Sequence, residues 1–378
     1  MRNQLLIWSL CIAALLLGAG ARGADDAVVR SERQAFRIAT LVRDLSHPWS
    51  MAFLPDGRML VTERPGRLRI VSSDFKLDPV PIAGVPRVVT GGQAGLFDVV
   101  LHPDYAKNGW LYLAYQGEGA GGSGIEVMRA RLDGHKLVDA TVIFRAQPKL
   151  RGSLNLGGRL LFDRRGLLYV SVGDRFAAER AQRLDDDSGK LIRLLDAGGA
   201  PPDNPYVGRS GARPEIFTVG NRNIQGLAFH PGTGELWSHE HGPQGGDEIN
   251  IIRPGRNYGW PVITYGVNYG IGTKIGEGTH KPGMEQPLYY WVPSIAPSGM
   301  AFYTGTRYPR WRGHLFVSAL KAETLVRLEL DGAKVTHEER LIKDAIGRIR
   351  DVRVGQDGYL YLLTDESDGV LARLEPMN

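Results

Sequence analysis

Met51-Ala52-Phe53-Leu54-Pro55-Asp56-Gly57-Arg58-Met59-Leu60-Val61-Thr62 reads as an apolar strand, an Asp-Gly turn and a second apolar strand. Asp-Gly between two such runs is a strong short-range hairpin signal. The same unit recurs five times. It runs from Gly95-Leu96-Phe97 through Gly109 to Leu111-Tyr112-Leu113, and from Arg159-Leu160-Leu161-Phe162 through Gly166 to Leu168-Tyr169-Val170. The others centre on Gly234 (Gly226-Leu227-Ala228-Phe229 and Leu236-Trp237-Ser238), Gly313 (Gly299-Met300-Ala301-Phe302 and Leu315-Phe316-Val317) and Gly358 (Asp351-Val352-Arg353-Val354 and Leu360-Tyr361-Leu362). The turn glycines are 52, 57, 68, 79 and 45 residues apart, room for one four-stranded sheet and its loops in each interval. Periodic hairpin units that cannot bury their faces alone stack into closed rings, which removes exposed sheet edges. The sequence therefore predicts an all-β, six-bladed β-propeller of four-stranded antiparallel blades. A two-sheet sandwich would not repeat one hairpin six times at this spacing.

The N-terminus stands apart from this pattern. Arg2, an apolar run over residues 5–17 and Ala19-Gly20-Ala21 read as a signal peptide spanning residues 1–23. The apolar run is too short to span a bilayer. Residues 24–378 then form one propeller domain, periplasmic or secreted, with no stable membrane insertion after cleavage. Cys11, the chain's single cysteine, lies in the removed segment, so disulfides contribute nothing to the mature fold. The formal charge of +5 is spread along the chain without a Lys/Arg block, which argues against nucleic acid as a partner.

Propeller geometry makes a further prediction. The first strand of each blade lines the channel and the second returns to the face where the first began. Residues just before first strands and just after second strands therefore share one face. By this rule Arg222, Lys321, Arg348 and Arg350 converge on one mouth, with Gln93, Asn155, Asp174 and His239-Glu240-His241 on the same side. Four cations around one opening call for an anion, and Arg forks suit carboxylates. The loop Gly242-Pro243-Gln244-Gly245-Gly246-Asp247-Glu248 offers backbone carbonyls and two acids, oxygens that a hard cation takes; a plain Gly-rich turn reads equally well from spacing alone. No nucleotide-binding loop opens a helix, and no hydrolase-type nucleophile elbow is present.

Gly220-Asn221-Arg222-Asn223-Ile224-Gln225-Gly226, residues 241–250, residues 257–261 and Arg348-Ile349-Arg350-Asp351-Val352 together resemble the soluble pyrroloquinoline quinone (PQQ)-dependent aldose sugar dehydrogenases of the glucose/sorbosone dehydrogenase family. The resemblance extends from about His47 to Glu366. It implies that Arg222, Asn223, Lys321, Arg348 and Arg350 hold PQQ, with Gln93 nearby. It implies one calcium at the carbonyls of Gly242 and Pro243, where it would polarise the quinone, and a second, structural calcium at Glu248 and Tyr258. An aldose would be oxidised at its anomeric carbon to a lactone, and electrons would pass to an acceptor that the sequence does not identify. One position departs from the pattern. The family's general base, a His before Gly-Gly-Arg-Leu, is replaced by Asn155 in Ser153-Leu154-Asn155-Leu156-Gly157-Gly158-Arg159-Leu160, and no His occurs between His135 and His230. Loss of a general base costs about 10²–10⁴-fold. A second reading is therefore a non-catalytic propeller that binds a sugar, cofactor or protein. A calcium lactonase-like propeller is disfavoured, because its metal would want inward carboxylates where this mouth is cationic.

Overall fold

Every hairpin read from the sequence forms the two innermost strands of one sheet in the computed structural model, which describes residues 28–377. Pro48–Phe53 pairs with Met59–Glu63 in the first blade, Leu96–Leu101 with Trp110–Gly119 in the second, and Gly157–Phe162 with Leu168–Val172 in the third. Ile224–Phe229 pairs with Leu236–Glu240, Pro297–Phe302 with Leu315–Ala319, and Ile349–Val354 with Leu360–Thr364 in the remaining three. Each inner strand packs on those of the two neighbouring blades, and Ile349–Val354 meets Pro48–Phe53 to close the ring. The fold is a six-bladed β-propeller. The six turn glycines all have φ between +67° and +86°, the left-handed region that Gly enters without steric cost.

Two blades differ from the expected four strands. The first has three, and the segment after Val71 supplies only isolated bonds, from Asp78 N–H to the Ile70 carbonyl and from Ile82 N–H to that of Leu68. The sixth has five. Ala35–Leu45 pairs with Gly369–Pro376, from Phe36 opposite Pro376 to Leu45 opposite Gly369, and Val28–Arg30 adds a short outer strand. Joining the two ends of the chain in one sheet is what locks the ring. The expected signal peptide, its cleavage site and Cys11 lie outside the described residues. Among the described residues no helix is long and apolar enough to cross a membrane.

Apolar packing fills the wedges between blades. Tyr112 of the second blade meets Phe162 of the third edge-on, with ring centroids 4.8 Å apart, and Trp237 of the fourth meets Phe302 of the fifth at 5.4 Å. Tyr112, Trp237 and Phe302 are buried and Phe162 partly so, and a fully buried Phe contributes about 1.5–3 kcal/mol. The channel itself is polar and draws on all six blades. Arg159 donates to Asp351 Oδ1 (3.1 Å) and to the carbonyls of Gln225 (2.8 Å) and Ser298 (3.1 Å), and its guanidinium lies 4.3 Å from the Trp49 ring centroid. Arg353 bridges Asp98 (3.0 Å) and Asp351 (2.8 Å), and Ser50 Oγ also donates to Asp98. Removing one member of a buried pair costs about 3–5 kcal/mol, because the other charge stays buried alone.

Above this plug, every inner hairpin breaks register in its first residues, for example between Gly157 and Leu160 and between Ile349 and Asp351. Bulges of this kind re-aim side chains. All six lie on one face of the ring.

Candidate active site

On that face a cavity of about 210 Å³ is enclosed by side chains from all six blades. Arg64, Arg348 and Arg350 line it, with Asp365 as their counter-ion. Arg350 Nη2 donates to Asp365 Oδ2 at 2.6 Å, and Arg350 Nη1 reaches Gln225 Oε1 at 3.4 Å. Arg350 Nε is a buried donor with no acceptor. Arg348 Nη1 donates to the Leu320 carbonyl (3.3 Å) and Arg64 Nη1 to that of Gly92 (3.0 Å). Asp365 also meets His47 Nδ1 at 3.1 Å. Burial opposes ionisation of Asp365, but Arg350, with Arg64 and Arg348 behind it, overrides burial and holds the carboxyl well below the usual carboxylate range.

Gln93, Asn223 and His241 complete the polar lining, while Trp49, Phe97 and Leu156 form an apolar floor. His241 Nε2 lies 2.7 Å from the Pro297 carbonyl, an acceptor, so this nitrogen carries the proton and donates. Burial pushes His241 down to about 4, and the ring is neutral at pH 7.

Asn155 adjoins the cavity through Gln93, whose Oε1 accepts from the Asn155 backbone N–H at 2.8 Å. Asn155 has φ of +49°, a conformation in which Asn and His are both enriched. Its Nδ2 donates to Asp174 Oδ1 at 2.9 Å. Asp174 is buried, and it also accepts from Trp260 Nε1 (2.7 Å) and the Phe176 N–H (2.9 Å). The side chain at 155 is thus held by a carboxylate, as a catalytic imidazole would be, but an amide accepts no proton near neutrality.

The turn carrying Arg222 and Asn223 is fixed by Glu240, which accepts from both backbone N–H groups and from Asn221 Nδ2. The Arg222 side chain turns away from the 210 Å³ cavity. Its Nη1 donates to the carbonyls of His241 (3.1 Å) and Gly242 (2.7 Å), its Nη2 to the Tyr269 hydroxyl (3.3 Å), and its guanidinium lies 5.1 Å from the Trp260 ring centroid. In the oxygen-rich loop, Asp247 is committed to structure: it accepts from Gly242 N–H, Ser294 Oγ, Ile295 N–H and Ala296 N–H, and so joins the loops of blades four and five.

Glu248 and Tyr258 share a hollow of about 10 Å³ with Glu240, Gly242 and Thr264. Burial, reinforced by Glu240, pushes Glu248 up to about 8, and burial pushes Glu240 up to about 7. Glu248 accepts one side-chain bond, from Asn250 Nδ2 at 3.3 Å. The Tyr258 hydroxyl is already engaged by the Ile251 carbonyl and the Arg253 N–H. Among the described residues no group of three or more His, Cys, Asp and Glu side chains is placed to hold a metal. A cation here would need backbone carbonyls as well as Glu248.

Of the residues expected at the mouth, Gln93, Asn223, Arg348 and Arg350 line one cavity. Lys321 is exposed on the rim beside Leu320 and does not line it, and Arg222 and Pro243 line a neighbouring cleft. Arg64 was missed by the sequence reading. It follows Glu63 directly at the end of a second strand, so the rule that found the other cations points to it too.

The fold and the site define the class: a six-bladed propeller with a cationic pocket over its channel, walled in part by Asn and Gln side chains. Within that class the chain belongs to the glucose/sorbosone dehydrogenase family, whose model matches residues 45–373. It is 46% identical over 347 residues to the aldose sugar dehydrogenase YliI of Escherichia coli (strain K12), covering 90% of this chain and 93% of that one. A crystal structure of a glucose dehydrogenase is 51% identical, with a TM-score of 0.87 over 89% of this chain and 98% of that one. The PQQ-bound aldose sugar dehydrogenase of Streptomyces coelicolor is 27% identical, with a TM-score of 0.73 over 90% of this chain and 98% of that one.

Proposed function

We propose that this protein is an exported aldose sugar dehydrogenase that uses PQQ and calcium to oxidise the anomeric carbon of an aldose to a lactone, and that proton removal is its weak step. The observation that carries the cofactor reading is the surplus of cations in the cavity: Arg64, Arg348 and Arg350 against Asp365 alone, with Arg350 Nε lacking an acceptor. A ligand bearing several carboxylates supplies that acceptor. PQQ has three carboxylates, and the PQQ-bound relative supports the choice. Arg348, Arg350, Asn223 and Gln93 would hold it, with Arg222 and Lys321 at its edges.

The donor set for calcium also fits. Glu248 is a half-buried carboxylate beside a buried one, Glu240, and a divalent cation would keep both ionised. The Gly242 carbonyl accepts from Arg222, yet a carbonyl oxygen has a second lone pair to offer a cation near Pro243. When bound, PQQ and calcium supply the hydride acceptor and its polarisation.

The chain's own residues orient the sugar, and none of them is placed as a strong acceptor for its hydroxyl proton. Asn155 can hydrogen-bond the anomeric hydroxyl. Asp174 fixes the Asn155 amide and already accepts three hydrogen bonds, which weakens it as a substitute base. His241 spends one nitrogen on Pro297. The deciding experiment loads purified protein with PQQ and calcium and follows reduction of a redox dye by glucose. Slow but real turnover supports the dehydrogenase. Cofactor binding with no turnover favours a binding propeller, a reading that Asn155 motivates. Absence of PQQ binding refutes the dehydrogenase and leaves only a propeller that binds a sugar or a protein.

A further inference from the structure

The loop that carries Asp174 leaves the third blade at Val172 and returns at Lys190, and these two residues face each other across the sheet. Lys190 is fully buried. Its acidic neighbours have other partners: Asp185 pairs with Arg183 (2.7 Å), Asp186 with Arg180, and Asp187 with Arg213 (2.7 Å). The Lys190 ammonium donates instead to three backbone carbonyls, those of Ser188 (2.7 Å), Arg180 (2.9 Å) and Ala181 (3.0 Å). Three N–H bonds are all that an ammonium has to give. Converging carbonyl oxygens are also what a bare hard cation takes. The chain has thus built an oxygen-lined cation site and filled it with its own side chain. Burial pulls Lys190 down to about 8, which leaves most of it charged at pH 7.

The carbonyls that Lys190 gathers lie at a junction between the cofactor turn and the proposed reaction point. The Ala181 carbonyl also accepts from Gly220 N–H (2.9 Å), and the carbonyl of Gly189, next to Lys190, accepts from Asn221 N–H (3.1 Å). Gly220 and Asn221 lead directly into Arg222 and Asn223, and Asn223 lines the cavity. The approach is close: Gly189 sits at φ of +69°, and a Cβ there would meet the Asn221 carbonyl and the Ala181 methyl at 2.6 Å each. On the other side, Gln182 Nε2 donates to the Trp260 carbonyl (2.7 Å) and to Asn257 Oδ1 (3.1 Å), and Trp260 Nε1 donates to Asp174 Oδ2 (2.7 Å). Asp174 in turn holds Asn155. Residues 180–182 are therefore tied both to the turn that presents Asn223 and, through Trp260, to the carboxylate that orients residue 155. Lys190 fastens residues 180 and 181 to the sheet. Without the ammonium three acceptors lose a charged donor, and the backbone must move to find others.

We infer that Lys190 is a positioning residue: its ammonium is a built-in cation that holds the turn from Gly220 to Asn223 and, through Trp260, Asp174 in the geometry that ligand binding and proton transfer need. The inference rests on the dehydrogenase reading for its PQQ readout alone, and its test separates the two. Lys190→Ala removes the ammonium and leaves a hole, whereas Lys190→Met removes it and fills the hole. In both variants the indole N–H signal of Trp260 in proton–nitrogen NMR, assigned with Trp260→Phe, should shift. PQQ affinity should fall about 2- to 10-fold, the worth of one neutral hydrogen bond such as that of Asn223. Propylammonium, which supplies the atoms that Ala lacks, should restore the signal and the affinity in Lys190→Ala and not in Lys190→Met. Tetramethylammonium at the same ionic strength, a cation without N–H groups, should restore neither. A Lys190→Ala protein that melts lower yet keeps the Trp260 signal and its PQQ affinity overturns the inference, as does equal recovery in tetramethylammonium. If the unmodified protein binds no PQQ, the dehydrogenase reading falls, while the Trp260 signal and its recovery still decide the role of Lys190. If neither variant folds, nitrogen NMR of the unmodified protein decides: a slowly exchanging Lys190 ammonium signal at pH 7 sustains the built-in cation, and its absence overturns it.

Discussion

Asn155→His should convert a slow dehydrogenase into a fast one. The backbone at 155 sits at φ of +49°, which His tolerates about as well as Asn, so the substitution asks little of the chain. The Asn155 amide already donates to Asp174 at 2.9 Å. An imidazole N–H in its place would donate to the same carboxylate, which fixes the tautomer and turns the other nitrogen toward the sugar hydroxyl. General-base catalysis contributes about 10²–10⁴-fold, and at about 1.36 kcal/mol per decade that is about 2.7–5.4 kcal/mol off the barrier. The gain should fall on kcat, with PQQ affinity little changed, because residue 155 does not line the cofactor cavity. The active form is the neutral imidazole, so the rate should rise with pH through the new pKa and level off above it. That pKa starts from about 6.5, pulled up by Asp174 and down by burial. The assay is dye reduction by glucose across pH 5–9, paired with a PQQ titration. Adding Asp174→Asn to the His variant should remove most of the gain, since the ring loses its orienting partner. If the Asn155 protein already turns over within the ordinary range of about 1–10³ s⁻¹ and His adds nothing, the missing-base argument is wrong.

Arg350→Ala should weaken PQQ binding by about one to two decades in a calorimetric titration, the worth of a charge-assisted bond to a desolvated carboxylate at ~1.5–3 kcal/mol. Calcium should raise the melting temperature and a chelator should lower it. At a calcium concentration 100 times Kd the linkage is worth about 2.7 kcal/mol, and Glu248→Gln should lose most of it; an identical shift in that variant would remove Glu248 from the site. Burial pushes His239 down to about 3, so the unfolded chain binds the extra proton first as pH falls. Stability at neutral pH should therefore be lost on acidification from about 6.5 toward 3, with this residue adding up to about 1.36 kcal/mol per pH unit. His239→Gln should flatten the urea-unfolding free energy over that window. N-terminal sequencing of exported protein should begin near residues 22–25; a soluble product that retains Met1 would refute signal cleavage.

The hairpins were legible because both strands of each are buried and read as unbroken apolar runs around a turn. Leu111–Tyr115 is buried throughout, and so is Leu360–Thr364. The mouth was legible for a topological reason: strand order alone fixes which loops share a face. Where each cation points was not legible, since that depends on competing acceptors. Arg222 precedes Asn223 on a cavity turn, yet the carbonyls of His241 and Gly242 and the Tyr269 hydroxyl draw its guanidinium aside. Ring closure by Ala35–Leu45 was missed because a single outer strand has no hairpin partner nearby in sequence; its partner is the other end of the chain. The neighbouring cleft that Arg222 and Pro243 line joins loops 93 residues apart, Phe176 and Tyr269, and nothing in either loop alone announces the other.

On the proposed reading, the distribution of charge along the propeller axis separates binding from chemistry. In the channel, Arg159 and Arg353 face Asp98 and Asp351, two against two, and the plug is neutral. One layer higher, buried Arg350 and half-buried Arg64 and Arg348 surround Asp365 alone, and a partly desolvated surplus of positive charge is costly until an anion arrives. On the proposed reading the cavity should keep its affinity for an anion whatever residue 155 is. Position 155, by contrast, couples to the cavity through a single backbone bond to Gln93 and to Asp174 on its other side. A His-to-Asn change at that point removes proton transfer without removing a cation, a carboxylate or a strand. Cofactor affinity and turnover should therefore respond to separate substitutions, Arg350→Ala moving the first and Asn155→His the second, with their effects close to additive.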